Sequence, residues 1–149
     1  AVPALVENTT VPELRGTIPP GAEPLIKVAM AFLDAIDRKD DTTIESMHIV
    51  FLHLKPGDKE HDRWRTMYKE GNQKRAEKRW QRGRLTNPRV VEVSKDERHH
   101  PDAGKVIIEY DAEFETHAAG GVIKTSLCWV NVGPDPTGTL KVENWETSY

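Results

Sequence analysis

The chain of 149 residues has a single cysteine, Cys128, and no apolar run near the roughly 18–20 residues that a membrane-crossing helix needs. One cysteine excludes an internal disulfide and any multi-cysteine zinc site. No Asp-x-Asp-x-Asp-Gly loop is present, so no EF-hand-like calcium loop is expected. No cofactor or metal is implied. His99-His100-Pro101-Asp102 offers nitrogen and oxygen ligands, but adjacent histidines on a turn do not converge on one ion, and zinc wants three or four ligands in a tetrahedron. His53 and His61 flank Pro56-Gly57 and read as surface residues. The first residue is Ala rather than Met, and the start is Pro-rich. Such a beginning suits a mature exported chain, periplasmic or secreted, with a trimmed cytoplasmic chain as the alternative.

What is present is one domain's worth of sequence, 37% hydrophobic and 30% charged. A globule of this length buries about 68–70% of its unfolded surface, enough for a core. Net charge is only −3, but it is unevenly placed. Residues 62–89 hold ten Lys/Arg against three Asp/Glu, whereas residues 90–149 hold five against eleven. A basic middle lies between acidic ends.

Residues 1–23 include four of the ten prolines and read as an extended arm. The domain proper is expected over 24–149. "PLIKVAMAFLDAIDR" (24–38) has Leu25, Val28, Ala29, Phe32, Leu33 and Ile36 on one helical stripe, with Pro24 in the first turn. "DDTTIESMHIVFLHLKPG" predicts a second helix, capped at Thr42 or Asp41 and stopped at Pro56-Gly57, its β-prone tail fitting a short strand as well. A third helix begins at Asp58, with Trp64, Met67, Tyr68, Ala76 and Trp80 on its packed side and a weak point at Gly71-Asn72. From residue 84 the period changes to two. Four strands are predicted at 84–97, 104–117, 121–133 and 137–149. Helices followed by strands predict an α+β domain, the helices packed on one face of a curved four-stranded antiparallel sheet.

In the hairpin around "HAAGG", a register pairing Glu115 with Lys124 and Tyr110 with Trp129 keeps each face chemically uniform. A one-residue slip would mix acids into the apolar side. The inner face then holds Ile108, Tyr110, Ala112, Phe114, Thr125, Leu127 and Trp129. Glu109, Asp111, Glu113 and Glu115 point outward. Alternate residues of a strand lie about 6.5–7 Å apart, too far for one ion to draw ligands from the whole row. These acids read as a solvated or partner-facing surface.

The segments "FLDAIDRKD" (32–40), "RWRTMYKEGNQKRAEKR" running into "GRLTNPRVVEV", and "LKVENWETSY" with Trp145 near its end resemble the nuclear transport factor 2-like superfamily, closest to exported bacterial members of uncharacterised function. The resemblance spans roughly residues 24–149. It implies a cystatin-like cone of curved sheet wrapped on helices. It also implies that an enzyme of this kind would carry an acid/base pair inside the cone. His48 and Tyr110 are the candidates, and their other reading is a hydrogen-bonded core pair. An apolar ligand would be lined by Phe32, His48, Phe51, Tyr110, Phe114 and Trp129.

The inner face holds no carboxylate or histidine of its own, which favours a non-enzymatic binding or assembly subunit. Its expected partner surface joins Glu109, Asp111, Glu113 and Glu115 of one molecule to Arg75, Arg79 and Arg82 of another copy or a different protein. A pI near 6.1 argues against nucleic acid as the partner. The alternatives are an isomerase-, dehydratase- or hydrolase-type enzyme using His48 and Tyr110, and a carrier of a small apolar ligand.

Overall fold

Nine buried residues of helix α1 (Glu23–Asp37) make it the spine of the molecule. They include the predicted stripe, with Phe32 and Leu33 sealed from solvent. Fully burying a side chain such as Leu, Ile or Phe contributes about 1.5–3 kcal/mol, so this one helix anchors much of the core. Pro24 lies in its first turn. The fold is a computed structural model describing residues 6–53, 57–95 and 100–148, with only the backbone of Leu52 and His53. Pro56 and His99 lie outside the described residues, as does the His53 side chain.

After α1 come α2 (Asp41–Met47), α3 (Ile49–His53) and α4 (Lys59–Trp80). The expected second helix is two short ones, because His48 is extended (ψ 118°) and forms a parallel bridge to Val142. The α2 cap is Asp40, one residue before Asp41 and two before Thr42, the expected caps; its carboxylate accepts from Thr43 N at 3.2 Å and Thr43 Oγ1 at 2.6 Å. Asp58 caps α4 as expected. Helix α4 runs unbroken through Gly71-Asn72. Its packed side is Asn72, Ala76 and Arg79, while Trp64, Met67 and Tyr68, expected on that side, are exposed.

The sheet has five strands rather than four, β1 (Glu13–Thr17), β2 (Leu85–Lys95), β3 (Gly104–Ala118), β4 (Gly121–Pro134) and β5 (Leu140–Thr147), in spatial order β1-β2-β3-β4-β5. The extra strand comes from the Pro-rich segment and pairs in parallel with β2; the other pairings are antiparallel. Pro12, Pro19 and Pro20 bracket β1 and keep it short, which blunts that edge. Helix α1 packs against β3, β4 and β5.

The β3–β4 register is the predicted one only at the hairpin tip, where Thr116 faces Ile123 and His117 faces Val122. Toward the centre, Asp111 faces Thr125 and Tyr110 faces Ser126. Between these stretches β3 carries four residues, 112–115, against one on β4. An odd offset turns every later β4 side chain to the opposite face. So Ser126, Cys128 and Val130 are buried beside Ile108 and Tyr110, whereas Thr125, Leu127 and Trp129 lie on the other face, only part-buried. Phe114 sits within the bulge, 56% exposed.

The extra residues of β3 are held by the segment that follows α4. Glu113 N donates to Arg84 O at 3.1 Å and Phe114 N to Arg82 O at 2.9 Å. Gly83 lies between those carbonyls at φ +77°, a conformation costing an L side chain about 1–2 kcal/mol. A Cβ there would also meet Glu113 and Phe114 at 2.8–2.9 Å. Gly138 has φ +86° but open space around it. Gly83→Ala should therefore lower urea-unfolding stability by about 1–3 kcal/mol, and by more than Gly138→Ala does. Equal effects of the two substitutions would show that the contact with β3 carries no energy.

Candidate functional site

Three arginines are internal: Arg79 and Arg82, expected on a partner surface, and Arg89. Arg79, one turn beyond Ala76 on the packed side of α4, is 1% exposed. Its Nε and Nη2 donate to Asp37 Oδ1 and Oδ2, both at 2.8 Å, a bidentate pair with the C-terminal end of α1. Nη1 donates to Cys128 Sγ at 2.9 Å, and the guanidinium lies 4.5 Å from the Tyr110 ring centre. Burial works against the Arg79 charge, but the Asp37 hydrogen bonds outweigh it and its pKa rises. The same burial pushes Tyr110 up to about 12, against the nearby Arg79 charge. The Tyr110 hydroxyl faces Met30 Sδ at 3.8 Å. Both groups therefore hold one protonation state across the neutral range.

Arg82 is 4% exposed, and its Nη2 donates to the Ile123 and Thr125 carbonyls at 3.1 and 2.9 Å. It thereby ties the end of α4 to the β4 side of the bulge. Arg89, on β2, is buried between Glu109 and Asp111, donating to both. Asn87, in the left-handed region at φ 51°, donates to the other Asp111 oxygen at 2.8 Å. These hydrogen bonds from Asn87 and Arg89 hold the Asp111 carboxyl below its ordinary range. Glu113 accepts from Arg84 N at 3.0 Å, and Glu115 reaches Lys124 at 4.0 Å. The acidic row thus finds much of its positive counterpart inside the same chain.

The expected partner surface changes accordingly. Arg79 and Arg82 are core residues, and Arg75 pairs with Glu146 at 3.5 Å. The expected ligand lining also divides. Phe32, His48, Phe51 and Tyr110 are buried, but Phe114 and Trp129 lie elsewhere for the register reason above.

His48 is 3% exposed, its ring edge-on to Phe32 at 6.1 Å and to Phe51 at 5.4 Å. Its Nδ1 has no hydrogen-bond partner among the described residues. Burial, helped by the Arg75 charge, lowers its pKa to about 4. Among the described residues no contact joins His48 to Tyr110; His48 sits with Val142 at the β5 side and Tyr110 on β3. Among the described residues no three histidine, cysteine or carboxylate side chains gather as a metal site. No helix among the described residues is long and apolar enough to cross a membrane.

Two clefts open beside the helices. One, of about 670 Å³, lies between α4 and the α1–α2 corner; the other, of about 620 Å³, lies between the start of α1 and the start of β5. Neither is lined by His48 or Tyr110. Of the expected ligand lining only Phe51 reaches the first cleft; the spacing of Asn72, Ala76 and Trp80 is the signal that marks its α4 flank.

Comparison with protein-family models, with curated proteins and with solved structures found no match.

Asp37→Ala should lower stability by about 3 kcal/mol, because it strands the Arg79 guanidinium in the core. Arg79→Met should cost less, since Asp37 is 40% exposed and regains water. Chemical denaturation of both variants checks the order, and a smaller loss for Asp37→Ala would refute it. For His48 the folded-state pKa lies below the ordinary value, so the unfolded chain binds the extra proton first. Stability is full above about pH 6.5, and about 3 kcal/mol is lost as pH falls to about 4. His48→Phe should flatten the fall in melting temperature over that window relative to the parent; parallel curves would contradict it.

Proposed function

We propose that the protein is a non-enzymatic assembly subunit whose copies associate head to tail, the N-terminal half of α4 in one copy seating on the β3–β4 hairpin tip of the next. One observation carries this reading. Of seven exposed large apolar side chains among the described residues, six fall into two regions: Trp64, Met67 and Tyr68 on α4, and Phe114, Val122 and Ile123 around the hairpin tip. Aromatic residues and Met are the types enriched at protein interfaces.

The patches lie at opposite ends of one molecule. The C-terminal end of α4 is tied to the hairpin through Arg82, while Trp64–Tyr68 lie about 24 Å away along the helix axis. A single copy cannot bring them together, and a second copy in the same orientation can. The net signs are opposite: Arg63 stays exposed beside the α4 patch, whereas at the hairpin Glu113 and Glu115 outnumber Lys124. A contact between different patches is heterologous and closes into a ring or propagates as a filament. The likeness to the nuclear transport factor 2-like superfamily belongs to the same reading, and an α+β fold of four helices and a mainly antiparallel sheet is compatible with it. The enzyme and cone-carrier readings draw less support, because neither His48 nor Tyr110 lines either of the two clefts.

Sedimentation of the full chain should show association that grows with concentration and weakens with added salt. Trp64→Glu and Val122→Lys should each be monomeric alone. Mixed, they should form a one-to-one dimer, because each retains one intact patch. A parent chain that stays monomeric at every concentration, or a mixture that stays monomeric, overturns the proposal.

A further inference from the structure

We propose that the cleft between α4 and the α1–α2 corner binds a small apolar molecule bearing a neutral carbonyl, such as an amide or ester. This site is on the other flank of α4 from Trp64 and Met67, given about 100° of turn per residue, and does not rest on the assembly reading. Its volume of about 670 Å³ falls within the range of small-molecule sites. Ile36, Ile44, Phe51, Ala76 and Trp80 supply apolar walls.

Beneath those walls are two N–H donors with no acceptor among the described residues. Asn72, 6% exposed, accepts from Trp145 Nε1 at 3.1 Å through Oδ1. An indole nitrogen only donates, so this bond fixes the orientation of the Asn72 amide. Its Nδ2 is then left buried without a partner, and so is Trp80 Nε1. Both side chains line the cleft. A buried donor without an acceptor is a standing cost that an incoming acceptor relieves.

The charges decide which acceptor. The lining carries three lysines and four carboxylates, and Glu45 is already engaged by Arg65 and Lys69. Those hydrogen bonds outweigh the effect of burial and hold the Glu45 carboxyl below its ordinary value. A ligand carboxylate would add a fifth anion to the cleft. An ammonium would bring more donors to donors that already lack acceptors. A neutral carbonyl satisfies the N–H groups and leaves the charges as they are. Neither donor is open to a water-sized atom, so binding requires a lining side chain to move. Lys39, exposed, with Nζ 4.7 Å from the Trp80 ring centre, is placed to do so.

The test titrates the full chain with octanamide, octanoate and octylammonium, followed by calorimetry and tryptophan fluorescence. Octanamide should bind most tightly. Trp80→Phe, which keeps a ring and removes the donor, should weaken it by roughly 5–10-fold, the effect of losing about one hydrogen bond. Asn72→Asp, which keeps the acceptor for Trp145, should do the same, with melting curves reporting that the variant is folded. Ile44→Trp should block the cleft and abolish binding, whereas Trp64→Phe should leave it unchanged. No binding of octanamide up to about 1 mM, equal binding of octylammonium, or full affinity in Trp80→Phe overturns the proposal.

Discussion

The bidentate pair between Arg79 and Asp37 is the constraint on which the arrangement of helices and sheet depends. It joins the ends of α1 and α4, and through Cys128 and Tyr110 it places both against the two central strands. A buried ion pair is a poor source of net stability, because desolvation offsets most of its attraction. What it supplies here is position. A guanidinium satisfied by carboxylate, thiol and aromatic face at once tolerates little rotation of α4, whereas an apolar side chain would accept many. The continuation of α4 past Gly71-Asn72 follows from the same anchoring. Asn72 is tied to Trp145 on β5, and Arg79 is tied to α1, so both halves of the helix end are held in one line.

The bulge in β3 is the second determinant, and it explains why two aromatic residues changed sides. Alternation along β3 and β4 is correctly legible, and the pairing at the hairpin tip follows from it. The pairing further in does not. It is set by a segment about 30 residues earlier in the chain, where Arg82 and Arg84 offer carbonyls to Phe114 and Glu113. A hairpin read by itself cannot reveal a third segment competing for its hydrogen bonds. The competition moves Trp129 off the core face and replaces it with Cys128, which then accepts from Arg79. The register change and the charged centre are one event.

The fate of the acidic row follows from the same limit. Its outward direction is legible in the alternation of residues 106–117, and so is its inability to focus on one ion. Its counterpart is not, because Arg89 lies in a run that reads as uniformly basic and solvated. Of the charged residues in that run, Arg79, Arg82 and Arg89 are internal, Arg75 is paired on the surface, and Arg63 stays exposed. Charge counting sees all of them alike. The Ala76 spacing is the local hint that Arg79 belongs inside, and the apolar Trp64, Met67 and Tyr68 draw attention to the wrong flank.

By itself the sequence determined the class of fold, the α1 stripe, the Asp58 cap, the antiparallel ladder β2–β5 and the outward set of the acids. Each of these is a local preference or a periodicity, carried by residues close together in the chain. Tertiary structure alone decided the parallel strand β1, the split at His48, the bulge, the burial of Arg79, Arg82 and Arg89, and the cleft beside α4. Each depends on partners roughly 20 to 95 residues away. Burial of a charge is favourable only when those distant partners arrive together, and no window of sequence contains them.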